Sequence, residues 1–154
     1  MFRNIVFAYD GSAECWDALE EGIARASLFN TRCHLLAVIP PPPPMALAAG
    51  TLPGELIEDE QSRVNAVLEA GLARMRQAGV MATGILRTDE SPAEAIGAVA
   101  RETGADLVVV GHHPRSALDR WWHGSVGHSL LDHLPCSLLV SMTREAGKKA
   151  PVRT

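Results

Sequence analysis

VVVGHHPRSALDRWWHGSVGHSLLDHLPCSLLVS, residues 108–141, is the most informative stretch of this chain. It predicts an apolar strand that ends at Gly111, a loop of about a dozen residues and a short helix that starts at Gly124–Gly127. Pro135 stops that helix, and a second apolar strand follows. A Gly-Ser turn at a helix start offers unpaired N–H groups and the positive end of the helix dipole, which suit a phosphate. The stretch therefore predicts a phosphate-binding loop between two strands.

Strands and helices alternate along the rest of the chain. Residues 4–9 form a short apolar run that Asp10 ends, as expected for a strand buried on both faces. Ser91 offers an N-cap, Pro92 suits the first helical position and Glu94 completes a capping box, so a helix starts there. Strands are predicted over residues 4–9, 33–39, 80–86, 107–110 and 137–140, and helices from Ser12 to about Phe29, over residues 55–78 and from Ser91 to about Gly104.

This alternation indicates an α/β protein in which parallel strands are joined by right-handed crossovers, with helices on both faces of the sheet. In such sheets the ligand crevice lies beyond the carboxyl ends of the strands, where the strand order reverses. Asp10-Gly11, Val38-Ile39 and Gly111-His112 all stand at predicted strand ends. We expect them to converge on one crevice.

The proline run Pro40–Pro44 follows the second predicted strand. Proline lacks the N–H that a sheet or a helix interior requires, so we expect a stiff polyproline segment that leaves the sheet. The connection should continue as a long loop to about Gly54.

Composition limits the class of protein. A chain of 154 residues is long enough for one domain with a substantial core, expected over residues 1–143, with a flexible polar tail over residues 144–154. The net charge of −4 argues against a general nucleic-acid binder. No apolar run approaches the roughly 18 residues of a membrane span, and the N-terminus carries no signal-peptide pattern. Three scattered cysteines fit buried thiols, so we expect a cytoplasmic protein that binds no membrane.

A long-range spacing specifies the phosphate loop further. Gly111 is followed by two residues and Pro114, and after nine more residues come Gly124 and Ser125. The opening IVFAYDGS, residues 5–12, places an aspartate after the first strand. Together these segments resemble the universal stress protein family, whose nucleotide motif has a glycine where Pro114 stands here. The resemblance covers nearly the whole chain, and so long a spacing is far more specific than a lone glycine motif.

The resemblance implies a Rossmann-like, adenine nucleotide alpha hydrolase-like open sheet of five strands in the order 3-2-1-4-5. It also implies a homodimer that forms through the last strand, residues 135–141. The implied ligand is an adenine nucleotide, ATP first and otherwise ADP or AMP, with Mg²⁺ or Mn²⁺ held through its phosphates. On the family's pattern the binding residues are Ala8, Tyr9 and Val38 around the base, Asp10 at the ribose, Gly111, His112, His113 and Arg115 along the loop, and Gly124, Ser125, Val126 and Gly127 at the phosphates.

Some of these positions have alternative interpretations. A carboxylate at Asp10 can accept hydrogen bonds from both ribose hydroxyls, but it can also form a turn that caps the helix at Ser12. Pro114 cannot donate to a phosphate, and Gly127 lacks the hydroxyl that nucleotide-binding members often carry. Each missing donor costs roughly 1–3 kcal/mol if the phosphate stays underbonded, which Arg115 and its neighbours in the loop can offset.

The same stretch is rich in histidine and tryptophan. His128 and Asp132 have the helical spacing of a metal-ligand pair, but no third ligand stands at a recognisable spacing, so no resident metal is predicted. Solvated or phosphate-facing histidines are favoured. Trp121 and Trp122 either cover the nucleotide or a dimer contact, or one is core and the other caps the sheet edge. The five histidines are His112, His113, His123, His128 and His133.

Three functions are compatible with the sequence. The first is a small dimeric stress-response module that binds an adenine nucleotide for regulation. The second is a nucleotide-free dimeric module in which Pro114 marks a decayed site. The third is a slow ATPase or nucleotidyl transferase, but such an enzyme needs a general base and a metal carboxylate over the phosphates. His112, His113 and His123 are only candidates for the base and no such carboxylate stands out, so no catalytic residue is predicted.

Overall fold

The computed structural model describes residues 2–28, 30–42, 44–50, 54–112 and 130–142. Within these residues, helices and strands alternate along most of the chain. The strands are β1 (Asn4–Ala8), β2 (Arg32–Ile39), β3 (Ala82–Thr88), β4 (Leu107–His112) and β5 (Ser137–Met142), and the helices are α1 (Ala13–Ala26), α2 (Pro44–Ala48), α3 (Gly54–Gln77), α4 (Pro92–Thr103) and α5 (Leu130–His133).

The five strands form one open parallel sheet in the order β3-β2-β1-β4-β5, as expected. β1 lies in the centre, where Ile5 pairs with Cys33 of β2 on one side and with Leu107 of β4 on the other. The strand order reverses between β1 and β4, because the chain first adds strands on one side of β1 and then on the other. The ligand crevice of such a sheet lies at this reversal.

Alternate residues of the central strands enter two separate hydrophobic cores. Ile5 and Phe7 pack with α1 and α3 on one face of the sheet, whereas Val6 packs with α4 on the other face. All three side chains are at most 2% exposed. The two-residue period of a strand sends successive side chains to opposite faces, so the near-continuous apolar run of β1 serves both cores. The prediction of helices on both faces is confirmed.

The connection after β2 differs from the prediction of a continuous loop. Pro44 starts the helix α2, in which the Ala49 N–H donates to the Met45 carbonyl at 3.0 Å. Proline suits the first turn of a helix, since the N–H that it lacks has no helical partner there. The Met-Ala-Leu-Ala sequence that follows is a strong helix former.

Strand β3 begins two residues later than predicted. Val80 belongs to the end of α3, because its N–H donates to the Met75 carbonyl at 2.9 Å while Gly79 donates to Arg76. Gly79 has a φ of 77°, and this pair of bonds is the Schellman ending of a helix. The apolar side chain of Val80 therefore closes the helix and does not start the strand.

Strands β4 and β5 are longer than predicted. Gly111 pairs with Ser141 and His112 with Met142, so Gly111 lies inside the ladder and His112 is the last residue of β4.

None of the described helices is long and apolar enough to cross a membrane.

Candidate functional site

The carboxyl ends of β1 and β4 meet at the point where the strand order reverses. Phe7 pairs with Val109, and two residues further along each strand stand Tyr9 and Gly111. These are two of the positions that the sequence pattern assigned to a ligand. The fold therefore brings the end of the first strand and the start of the predicted phosphate loop to one edge, which we call the carboxyl edge.

Asp10 forms the turn that joins β1 to α1. The Ser12 N–H donates to Asp10 Oδ1 at 2.8 Å, and Ser12 Oγ in turn accepts from the Cys15 N–H at 3.2 Å. Gly11 between them has a φ of 81°, a left-handed conformation that favours glycine. The turn uses one oxygen of an exposed carboxylate, and a carboxylate accepts through two oxygens. The capping role and the ribose role of Asp10 are thus compatible.

The same turn is repeated at the end of β3. The Ser91 N–H donates to Asp89 Oδ1 at 2.8 Å, and Ser91 Oγ accepts from the Glu94 N–H at 3.3 Å. The expected cap at Ser91 is confirmed. The second bond of a capping box, from the Ser91 N–H to the Glu94 side chain, is replaced by the bond from the Ser91 N–H to Asp89. The shared Asp-x-Ser pattern was visible in the sequence and was missed. Two helices thus direct capped N-termini, with their positive dipole ends, to the carboxyl edge.

The residues predicted around the base have different degrees of exposure. Ala8 and Val38 are half-buried and pack against the core on the α4 side. Tyr9 is only 6% exposed. Its ring lies 6.5 Å from the ring of Trp16 and close to Gly71 of α3. Because the ring is packed in the core, Tyr9 is expected to contact a ligand through its backbone. Burial, followed by the nearby Cys15 and Asp10, raises the pKa of the Tyr9 hydroxyl.

A cleft of about 280 Å³ opens beside Ile39, where β2 and β3 end, on the face of the sheet that α3 covers. Its walls are mostly apolar and come from the proline run and the first turns of α3. This cleft was not predictable from the sequence, because the proline run and α3 are separated by a connection whose path the sequence pattern does not specify. The lining residues are Ile39, Pro40, Pro41, Pro42, Leu56, Ile57, Glu60, Gln61 and Thr88.

Helix α5 holds the far end of the predicted phosphate-loop segment against α4. Leu130 is 2% exposed in the core on that face, and Arg101 Nη1 donates to the His133 carbonyl at 2.9 Å. A Cβ added to Gly97 would lie 2.6 Å from the same carbonyl oxygen. The remaining predicted site residues, together with Pro114, Trp121, Trp122 and His128, lie outside the described residues: His113, Arg115, Gly124, Ser125, Val126 and Gly127.

The cysteines near the site are packing residues. Cys15 is 3% exposed, and burial, then the Asp10 carboxylate, raises the pKa of its thiol to about 12. A thiol that stays protonated at neutral pH is a poor nucleophile and a poor metal ligand. No group of three or more histidine, cysteine, aspartate or glutamate side chains with metal-binding geometry occurs in the described part of the chain.

The sheet order and the two-sided helical layers define a doubly wound α/β protein. The family model for the universal stress protein family matches residues 1–141. The chain therefore belongs to the universal stress protein family.

Individual relatives agree with this assignment. A putative universal stress protein from Staphylococcus epidermidis is 40% identical over 47 residues, which is 30% of this chain and 28% of that protein. The chain thus matches little more than a quarter of that curated relative's length. A crystal structure of a family member from Burkholderia pseudomallei is 29% identical, with a TM-score of 0.68 over 89% of this chain and 93% of that one.

Two further solved structures are similar in fold. A universal stress protein in complex with cAMP has a TM-score of 0.66 and 23% identity over 90% of this chain and 96% of that one. A family protein from Arabidopsis thaliana with AMP bound has a TM-score of 0.65 and 18% identity, and the match covers 97% of each chain.

Proposed function

We propose that this protein binds an adenine nucleotide, preferentially ATP, at the carboxyl edge and serves as a regulatory stress-response module in the cytoplasm. The observation that carries the proposal is the Asp10–Ser12 turn at the reversal of the strand order. It presents an exposed carboxylate next to the capped N-terminus of α1. Support comes from the related structures with cAMP and AMP.

In this proposal, different residues contact the ribose, the base and the phosphates of the nucleotide. The Asp10 carboxylate accepts from the ribose hydroxyls, and Ala8, Val38 and the Tyr9 backbone flank the base. The phosphates lie along Gly111, His112 and the loop that follows, with Mg²⁺ or Mn²⁺ held through phosphate oxygens. Since no catalytic base is assigned to the site, the bound nucleotide acts as a regulatory ligand, and hydrolysis is slow at most.

Pairing of two copies through β5 completes the proposed module. β5 lies at an end of the sheet and pairs with β4 on one side. Leu138, Leu139 and Val140 on this edge strand are half-buried within a single copy. An edge strand with apolar side chains is a ready surface for a second copy.

A second candidate function is a nucleotide-free module of the same fold. Pro114 favours it, because a proline at the second glycine position of the motif removes a backbone donor from the phosphate loop.

Two measurements separate these candidates. Small molecules released from the purified protein are identified by mass spectrometry, and the affinities for ATP, ADP, AMP and cAMP are measured by calorimetry. The nucleotide-binding proposal predicts a co-purified adenine nucleotide or binding below millimolar ATP. Absence of both would establish the nucleotide-free alternative.

The ribose contact is tested with Asp10→Asn. Asparagine keeps the side-chain oxygen that forms the turn but loses one acceptor, so ATP affinity should fall about tenfold, which is about 1.4 kcal/mol. Asp89→Asn is the matched control, since it makes the same change in the equivalent turn after β3 and should leave ATP affinity unchanged. Equal effects of the two substitutions would show that Asp10 acts on the fold and not on the ribose.

A further inference from the structure

A second and larger cleft lies at the opposite edge of the sheet, which we call the amino edge. Its volume is about 710 Å³, within the usual range for small-molecule sites. Its walls come from the segments that enter β1, β2 and β4. The lining residues are Phe2, Arg3, Asn4, Asn30, Thr31, Arg32, Thr103, Gly104 and Asp106.

Two arginines line this cleft from neighbouring segments. Asn4 pairs with Arg32 in the β1–β2 ladder, and the Arg32 N–H donates to the Arg3 carbonyl at 2.9 Å. Both arginines are exposed. In the described residues neither takes part in an ion pair, whereas Arg25, Arg63, Arg74 and Arg87 do. The two guanidinium groups therefore remain available to an anion.

The acidic residue of the cleft is already occupied by backbone donors. Asp106 accepts from the Arg3 N–H at 2.8 Å through Oδ2 and from the Asn4 N–H at 3.0 Å through Oδ1. It thereby fixes the backbone that carries Arg3. Its charge still offsets part of the positive charge, so the cleft has one net positive charge from its ionised side chains.

The floor of the cleft is rich in acceptors. Asn4 Nδ2 donates to the Thr103 carbonyl, while Asn4 Oδ1 is buried without a hydrogen-bond partner. Helix α4 ends here, and the last carbonyls of a helix carry partial negative charge. A bare anion is repelled by this floor, but hydroxyl groups can donate to it.

We propose that the amino-edge cleft binds a phosphorylated polyhydroxy compound of the sugar phosphate class. The phosphate pairs with Arg3 and Arg32, since guanidinium groups match phosphate oxygens in charge and geometry. The hydroxyl groups donate to the carbonyl end of α4, which lines the cleft at Thr103 and Gly104. This site is independent of the nucleotide site proposed at the carboxyl edge.

The test is a titration of isotope-labelled protein followed by amide chemical shifts. Glucose 6-phosphate should shift the amides of residues 3, 4, 32, 104 and 106 and leave those of residues 10–12 in place. It should bind at least tenfold more tightly than inorganic phosphate or glucose, each of which offers half of the recognised groups. Equal affinities for glucose 6-phosphate and inorganic phosphate, or shifts confined to the carboxyl edge, would overturn the proposal.

Charge-removing variants complete the test. Arg32→Gln should weaken glucose 6-phosphate binding at least tenfold. Arg76→Gln, which removes an exposed positive charge that does not line the cleft, should leave the affinity unchanged. The same loss of affinity in both variants would reveal nonspecific attraction and would refute the site. Because ATP and glucose 6-phosphate are followed at different amides, failure of one proposed site is distinguishable from failure of the other.

Discussion

The carboxyl and amino edges of the sheet both combine helix ends with aspartates that accept from backbone N–H groups, but helices begin at one edge and end at the other. At the carboxyl edge, Asp10 and Asp89 hold serine N–H groups, and helices begin. At the amino edge, Asp106 holds the N–H groups of Arg3 and Asn4, and helices end. The helix dipoles contribute positive potential at the carboxyl edge, where the turn side chains Asp10 and Asp89 are acidic. They contribute negative potential at the amino edge, where the side chains include Arg3 and Arg32. The two edges of one sheet thus have opposite arrangements of backbone and side-chain charge.

Gly97→Ala should have the largest effect on stability. The added Cβ would meet the His133 carbonyl at 2.6 Å, and a backbone atom cannot move aside cheaply. We expect the free energy of unfolding to fall by about 1–3 kcal/mol, measured by urea denaturation. The substitution loosens α5, which follows the predicted phosphate-binding loop in the sequence, so it should disturb ATP binding more than glucose 6-phosphate binding.

The control for Gly97→Ala is Gly54→Ala. Gly54 is also helical, but a Cβ added there meets no atom within 4 Å. Its stability should stay within about 0.5 kcal/mol of the parent protein. A Gly97→Ala protein as stable as the Gly54→Ala protein would contradict the close packing of α4 on α5.

Removing the serine caps tests whether the two carboxyl-edge turns are equivalent. Ser12→Ala and Ser91→Ala each delete an acceptor for a helix N–H, so each should lower the free energy of unfolding by about 1 kcal/mol. Only Ser12→Ala should also reduce ATP affinity, because its turn carries Asp10. Equal losses of ATP affinity would mean that the potential of both helices, and not the Asp10 turn, determines binding.

His34 should give the amino half of the sheet a pH dependence. Burial, followed by the charge of Arg32, lowers the pKa of His34 below its ordinary value of 6.5. The unfolded chain therefore binds a proton at a higher pH than the folded protein. The free energy of unfolding should be largest above about pH 6.5, fall as the pH drops below that value and level off below the folded pKa.

Denaturation at several pH values checks this dependence. His34→Gln should reduce the slope below pH 6.5, and Arg32→Gln should reduce it less, since Arg32 is the smaller cause of the lowered pKa. Identical slopes in all three proteins would rule out His34 as the titrating group.

Local chemistry explains which features were predictable from the sequence. The cap at Ser91, the proline at position 92 and the glycine at 104 mark α4 within a few residues, and the structure confirms each. Val80 was misassigned because an apolar residue after a helix-ending glycine suits both a strand and a Schellman contact. Gly111 was expected to end its strand, but its pairing with Ser141 depends on where β5 lies.

The candidate site was predictable only where its residues follow strands. Asp10 and Val38 stand at strand ends, and parallel strands bring their carboxyl ends together. The 280 Å³ cleft beside Ile39 and the amino-edge cleft were not predictable, because both combine segments that are separated in the chain. Arg3 and Asp106 are separated by about a hundred residues and are neighbours only through the β1–β4 pairing.

By itself, the sequence determined the alternation of strands and helices, the caps that begin them and the spacing that marks the family. These features depend on contacts between residues near one another in the chain, where periodicity and side-chain chemistry act directly. Only the tertiary structure decided that Tyr9 is buried, that Arg101 of α4 bonds to the His133 carbonyl and that the Arg32 N–H bonds to the Arg3 carbonyl. Each depends on long-range packing, which no local pattern encodes.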